Sequence, residues 1–407
     1  MKDTNIMKDS KRWQLYVAGQ CLIMFNCFLC FLEIYAEHLI PVSCVIIASA
    51  IILFLVSGVY RSFRLSYSSV ICLILIGWLV LSDIIKADLS TLTSQMCLSS
   101  MALFFLFSFF SPDLDKSRCS VNSVLWVSFI LATLTSVISL ITKQGYPDDF
   151  TGITNNRNAL AAYAELGIMA GVGLMIFRKK ISLLSLVNLL GICINIFVIY
   201  RTQSRTPLMA LSTFAVILVL FGVYSISTKG FRKFITLLLA VILCCLLVTF
   251  VLRFVINRNG TNEAAVNLYE MLNKISSGRI QIWNTCLDIA KEHPLFGAKE
   301  SIYHEIITAG RGYPNGPHNV YFSLLTLNGI PALAIYLVMI VYVLFSSIRT
   351  MIRTQRSERL RIICYFAILA GLLVGDLFEC LSIRTYMPTA YLLILLIAAL
   401  ESERRAL

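Results

Sequence analysis

The sequence predicts an all-α, polytopic membrane protein with about twelve transmembrane helices. Three observations lead there. Hydrophobic residues make up 58% of the 407 residues and charged residues only 14%, against roughly a quarter charged in a soluble domain. The apolar residues gather in runs of about 18 or more, the length that crosses a hydrocarbon core roughly 30 Å thick as a helix. The runs show no period-2 alternation, so they satisfy their own backbone as helices rather than as barrel strands.

The runs lie near 14–35, 39–60, 66–86, 93–111, 121–142, 159–177, 182–200, 207–227, 234–256, 318–348, 362–382 and 388–401. Basic residues fall between them on alternate sides. Lys8, Lys11 and Arg12 precede the first run; Arg61 and Arg64 follow the second; Lys116 and Arg118 follow the fourth. Arg178, Lys179 and Lys180 follow the sixth, and Lys229, Arg232 and Lys233 the eighth. Arg349, Arg353, Arg356, Arg359 and Arg361 follow the tenth, and Arg404 and Arg405 come last. All share one side, which the positive-inside rule makes cytoplasmic, with both termini. The net charge of +12 is therefore a topology signal, and nucleic acid is set aside as a partner. The charged start MKDTNIMKDSKRW precedes a run too long for a signal peptide, with no small-residue cleavage site, so it reads as a retained first span. Most of the 13 cysteines, Cys72 and Cys364 among them, sit inside apolar runs without metal-ligand spacing. They act as small apolar fillers.

One integral membrane domain, 1–407, is expected, with no internal repeat. The opposite side holds 143–158, 201–207 and the longest polar segment, 257–317. Within that loop NEAAVNLYEMLNKI and RIQIWNTCLDIAKEH carry apolar residues at helical spacing, which predicts two or three amphipathic helices at the interface or over a cavity.

Arginines on this side run against the topology bias. Arg201 and Arg205, four apart, would share a helix face if their segment is helical; Arg279, Arg311 and Arg384 lie on this side too. Each can snorkel to lipid phosphate or cap a helix. Together they can clamp a pyrophosphate, because the guanidinium fork donates two hydrogen bonds to one phosphate.

Only four histidines are present. In NGPHN, Asn315 or Gly316 can cap a helix and Pro317 suits its first position, which would put His318 in the first turn of the tenth span. The positive end of the helix dipole disfavours the imidazolium and attracts anions. His318 is thus a candidate general base, with an interfacial histidine bonded to a loop carbonyl as the alternative. His293 and His304 read as structural and His38 as a turn residue. Asp148–Asp149 has no histidine beside it, so no metal site is expected. Asp376 and Glu379 fall inside the eleventh run, where an acid is costly and pairing with an arginine is expected.

Three segments resemble the O-antigen ligase and polymerase superfamily: YRTQSRTPL (200–208), SSGRIQIWNTCLDIAKEHPLFG (276–297) and HNVYFSLLTLNGIPA (318–332). The last is similar to the ligase pattern of His, Asn, nine residues and Gly, departing at Ala332, a change that touches packing more than chemistry. The resemblance implies a GT-C-like, inverting glycosyltransferase of the bacterial inner membrane that works without metal or cofactor, its active site on the periplasmic side. It implies undecaprenyl-pyrophosphate-linked glycan as donor and lipid A–core as acceptor, among membrane lipids. His318 becomes the base; Arg205 and Arg279, then Arg201 and Arg311, meet the pyrophosphate; Asn319 and Asp376 support them. A polymerase, which joins lipid-linked repeat units, shares the donor. A flippase would instead place its charges in a central cavity.

Overall fold

A computed structural model of the chain describes residues 2–29, 39–59, 66–86, 114–142, 150–154, 156–178, 182–226, 278–302, 305, 317–379 and 387–407. Its elements are α-helices: α1 (Lys2–Leu29), α2 (Leu39–Ser57), α3 (Tyr67–Lys86), α4 (Leu114–Thr142), α5 (Arg157–Phe177), α6 (Leu183–Thr202), α7 (Thr206–Ile226), α8 (Arg279–Glu292), α9 (Val320–Arg353), α10 (Arg356–Gly375) and α11 (Pro388–Arg405). Among the described residues six helices are long and apolar enough to cross a membrane: α3, α4, α5, α6, α7 (over Thr206–Val223) and α9. The chain is a polytopic helical membrane protein. The expected runs near 93–111 and 234–256 lie outside the described residues, as do His38, Asp148, Asp149, His304, Arg311, Arg384 and the expected helix over 262–275.

The bundle is built around α11. Every residue from Pro388 to Leu400 is buried, and α11 packs against α1, α3, α4, α5, α9 and α10. Peripheral helices turn apolar residues outward, as α6 does with Leu183, Leu186, Leu190 and Phe197, the arrangement a lipid-facing helix requires. Where α4, α5 and α6 meet, the seam is polar. Ser136 donates to the Asn195 side chain at 2.7 Å, and Asn195 donates to Thr133 at 3.1 Å. Such side chains join helices where lipid offers no hydrophobic drive between them.

Basic residues gather at one end of the bundle. The Arg118 fork meets both oxygens of Glu403 at 2.7 and 2.9 Å, and its other nitrogen lies 2.9 Å from Glu358. Lys116 sits 5.9 Å over Trp13 and Arg178 4.9 Å over Trp126. This is the side on which the sequence led us to expect the cytoplasm.

Near the other end α9 breaks. Gly329 takes φ 83°, ψ 177°, and Pro331 follows it. In an unbroken helix the Ile330 N–H would bond the Thr326 carbonyl. Instead Ile330 donates to Pro294 and Thr326 accepts from Ala298, both at 2.8 Å. The Leu327 carbonyl, which Pro331 cannot serve, accepts from Lys86. The Asn328 carbonyl accepts from the Trp78 indole at 3.0 Å, and its side chain donates to Ser82 at 2.7 Å. The HPLFG turn after α8 and the NGIP break in α9 are thus one hydrogen-bonded unit, braced by α3. Phe296 stacks on Trp78 with centroids 5.4 Å apart. Glycine is required on both strands of this contact. A Cβ at 329 would overlap the Leu295 carbonyl and one at 297 the Leu327 backbone, and both positions have positive φ.

Cys286 reports on this docking. It is fully buried in α8 against α9, and burial pushes its thiol up to about 11, which suppresses the reactive thiolate. Gly329→Ala is expected to cost about 2 kcal/mol or more through strain and overlap. It should lower the thermal midpoint of the purified protein and speed Cys286 labelling by a maleimide. An unchanged labelling rate would show that α8 does not depend on the break.

Candidate functional site

The segments bearing the candidate residues meet at the end opposite Arg118. Gly278, in the left-handed conformation (φ 80°), precedes α8, so Arg279 opens that helix. Trp283, one turn on, donates to the Pro317 carbonyl at 3.0 Å and stacks on Phe322 at 5.4 Å. These contacts lay the start of α8 over the start of α9. His318 directly follows Pro317.

His318 is not in the first turn of α9, as the sequence suggested. The cap is Asn319, whose side chain accepts from Tyr321 and Phe322 at 2.9 and 3.1 Å. His318 precedes it with φ 48°, a left-handed conformation that histidine tolerates better than most residues. The first-turn amides are also taken. Val320 donates to the Asp376 carbonyl and Ser323 to the Asn319 carbonyl, each at 2.9 Å. The helix start therefore has no open amide in that first turn for a phosphate, contrary to expectation. What it does is fix the backbone on which His318 stands.

The chain between α10 and α11 supplies the centre of the site. The eleventh span is shorter than expected: α10 ends at Gly375, Asp376 caps it, and Glu379 lies one turn beyond. The Glu379 carboxylate gathers three side chains. One oxygen lies 2.7 Å from the Arg279 guanidinium and 2.8 Å from the Asn158 amide, and the other 2.9 Å from His318 Nδ1. An ionised carboxylate only accepts, so Nδ1 is the donor, and in the neutral imidazole the lone pair is then at Nε2. Glu379 is 13% exposed, Arg279 18% and His318 28%, so the trio is shielded but reachable. Glu379 was legible only as an acid in need of an arginine, which it has.

Asn158, in the first turn of α5, carries the network onward, accepting from Ser204 at 3.0 Å. Arg205 follows Ser204 and directly precedes α7. Gln203 ends α6 in a left-handed conformation, so Arg201 and Arg205 do not share a helix face. Arg201 belongs to the last turn of α6, its guanidinium 5.1 Å over the Phe150 ring. The turn thus brings Ser204, the chain neighbour of Arg205, to the Glu379 network and Arg201 to an aromatic face. Asn158 and Ser204 carried no sequence signal of their own.

Asp376 and Asn319 work behind the site. Asp376 is fully buried and accepts from Tyr336 at 3.4 Å, while Asn319 donates to the Leu377 carbonyl at 2.9 Å. Together they tie the end of α10 to the start of α9, which sets where His318 and Glu379 stand. His293 caps α8 through its backbone amide, 2.9 Å from the Ile289 carbonyl.

In chemical terms the cluster joins an oriented imidazole with an open nitrogen to a guanidinium that spends one of its N–H groups on Glu379. The first feature suits proton acceptance and the second anion binding. A double-mutant cycle on Arg279→Met and Glu379→Gln should give a coupling of about 1 kcal/mol in thermal stability, since the pair is partly exposed. Additive losses would overturn the shared carboxylate.

No curated protein matches the chain. Residues 189–337 match the family model described as O-antigen ligase. The matched span runs from within α6 to the middle of α9 and includes Arg201, Arg205, Arg279, Arg311, His318 and Asn319; Asn158, Asp376 and Glu379 lie outside it. Helical membrane architecture and matched segment together describe an integral membrane protein of which residues 189–337 are similar to the O-antigen ligase family.

Proposed function

We propose that this protein is an O-antigen ligase of the bacterial inner membrane. It transfers O-antigen polysaccharide from undecaprenyl pyrophosphate to a sugar hydroxyl of lipid A–core by inverting glycosyl transfer that needs no metal. The observation that carries this reading is the Glu379 carboxylate held between His318 Nδ1 and Arg279. It orients a base and a phosphate-binding cation side by side.

In this reading His318 Nε2 takes the proton of the acceptor hydroxyl. The hydroxyl oxygen attacks the anomeric carbon from the face opposite the leaving group, forming the new glycosidic bond. The bond from that carbon to the pyrophosphate oxygen breaks, and undecaprenyl pyrophosphate leaves with the electron pair. Arg279 and Arg205 stabilise the charge that develops on it, with Arg201 and Arg311 as further contacts. Glu379 holds the imidazole in the tautomer that leaves Nε2 open and balances the imidazolium once formed, the role a carboxylate plays behind a catalytic histidine. The proposal extends to architecture: about twelve spans in a GT-C-like arrangement, a single membrane domain over 1–407, and a loop over 257–317 that faces the periplasm. The docking of α8 on the break in α9 supports a folded loop rather than a slack one.

In a strain lacking the endogenous protein, His318→Ala should reduce O-antigen on the core by roughly 10²- to 10⁴-fold, with lipid-linked polymer accumulating and the protein still inserted. A single repeat unit left on the core would instead mark a polymerase. Wild-type transfer would remove His318 as the base. Arg205→Lys keeps the charge but loses the fork, and should cost about tenfold or more. Full activity there would mean that only charge matters at 205.

A further inference from the structure

At the basic end, far from Glu379, lies a cavity of about 440 Å³ whose walls include Arg349, Arg353, Arg404, Tyr67, Tyr342 and Phe345. Tyr342, Phe345, Arg349 and Arg353 recur at helical spacing, so one stripe of α9 forms a wall. The Tyr67 and Tyr342 rings meet edge to face at 6.2 Å. Arg404 is committed, its fork closing on Glu401 at 2.6 and 3.2 Å. Tyr342 donates to that same carboxylate at 3.3 Å, so Glu401 brings no net negative charge to the cavity. Arg349 and Arg353 have no ion-pair or hydrogen-bond partner among the described residues. The cavity thus holds two uncommitted guanidinium groups. On the same stripe toward the middle of the membrane, Val338, Val341 and Phe345 are exposed.

We propose that this cavity is a specific binding site for the phosphate headgroup of an anionic phospholipid. Arg349 and Arg353 bind the phosphate, the tyrosines close over the glycerol region, and the acyl chains lie along Val338, Val341 and Phe345. Guanidinium forks match phosphate geometry, and tyrosine rings settle at the level of the headgroups. The apolar stripe continuous with the charged wall selects a lipid over a free phosphate, because a soluble anion makes no use of it. The site is independent of the transfer reaction proposed above.

Native mass spectrometry of the full chain, delipidated in detergent, tests it. Phosphatidylglycerol should bind as one saturable adduct at lower concentration than phosphatidylcholine with the same acyl chains. Arg349→Ala with Arg353→Ala should weaken that adduct by roughly fivefold per residue, while the double lysine variant, which keeps the charge but loses the forks, retains only part of it. Lys11→Ala with Arg12→Ala, equal in charge removed, should leave it unchanged. Equal binding of the two lipids, retention by the alanine variant, or equal loss in the Lys11/Arg12 control would overturn the proposal. Displacement of the adduct by millimolar inorganic phosphate would overturn the lipid assignment in favour of a soluble anion. The readout is lipid retention, so failure here and failure of the transferase reading are separable.

Discussion

Backbone amides and carbonyls have no partners in hydrocarbon, so a helix can break within a membrane protein only where something else bonds what it releases. α9 breaks at Gly329, and the released groups go to the Pro294–Ala298 turn and to Trp78 and Lys86 of α3. Much of the site's geometry follows from that exchange. The turn ends α8, so bonding it to α9 also holds α8. Trp283 then reaches Phe322 and Pro317, and Arg279 comes within hydrogen-bond distance of the carboxylate that holds His318. A backbone requirement inside the bundle is answered by a loop, and the loop brings the cation.

The two ends of the bundle treat charge differently. At the basic end Arg118 spans Glu403 and Glu358, a fork satisfied by two acids in a structural lock. At the other end one acid is divided among Arg279, His318 and Asn158. Among the described residues, that leaves a histidine nitrogen and most of a guanidinium uncommitted. Over-satisfied cations give stability, whereas an over-shared carboxylate leaves its partners capacity to meet a substrate.

The helices were legible because span length and apolar composition are local properties, and the described long helices overlap the predicted runs, with ends that differ by several residues or more. The cap of α9 was misread because Asn315, Gly316 and Pro317 have good capping chemistry, yet Asn319 also anchors to Leu377 across the bundle. Tertiary contact outweighed local preference. Arg279 was legible as an arginine against the expected charge bias, and His318 as one of four histidines, at an expected helix start. Their convergence was not, since the group that joins them is a glutamate 61 residues from the histidine. Glu379 was hidden by its neighbours. Read as the tail of an apolar run it looked membrane-embedded, but α10 stops at Gly375 and frees it to turn into the site. Asn158 and Ser204 are ordinary polar residues at helix ends, and only three-dimensional placement gives them a role.

The central position of α11 has a consequence in time. This helix follows in the chain every helix it packs against, and those helices enter the bilayer before it is synthesised. Until residues 388–405 emerge, the buried faces of α1, α4, α5, α9 and α10 surround a missing strut. The early helices meanwhile pack on one another, α1 on α2 and α5 on α4 and α6, without the strut that backs them. The arrival of α11 fills that space, and Glu379, which lies just upstream of it, is also among the last residues to be made. Assembly of the core and completion of the site then both fall late in synthesis.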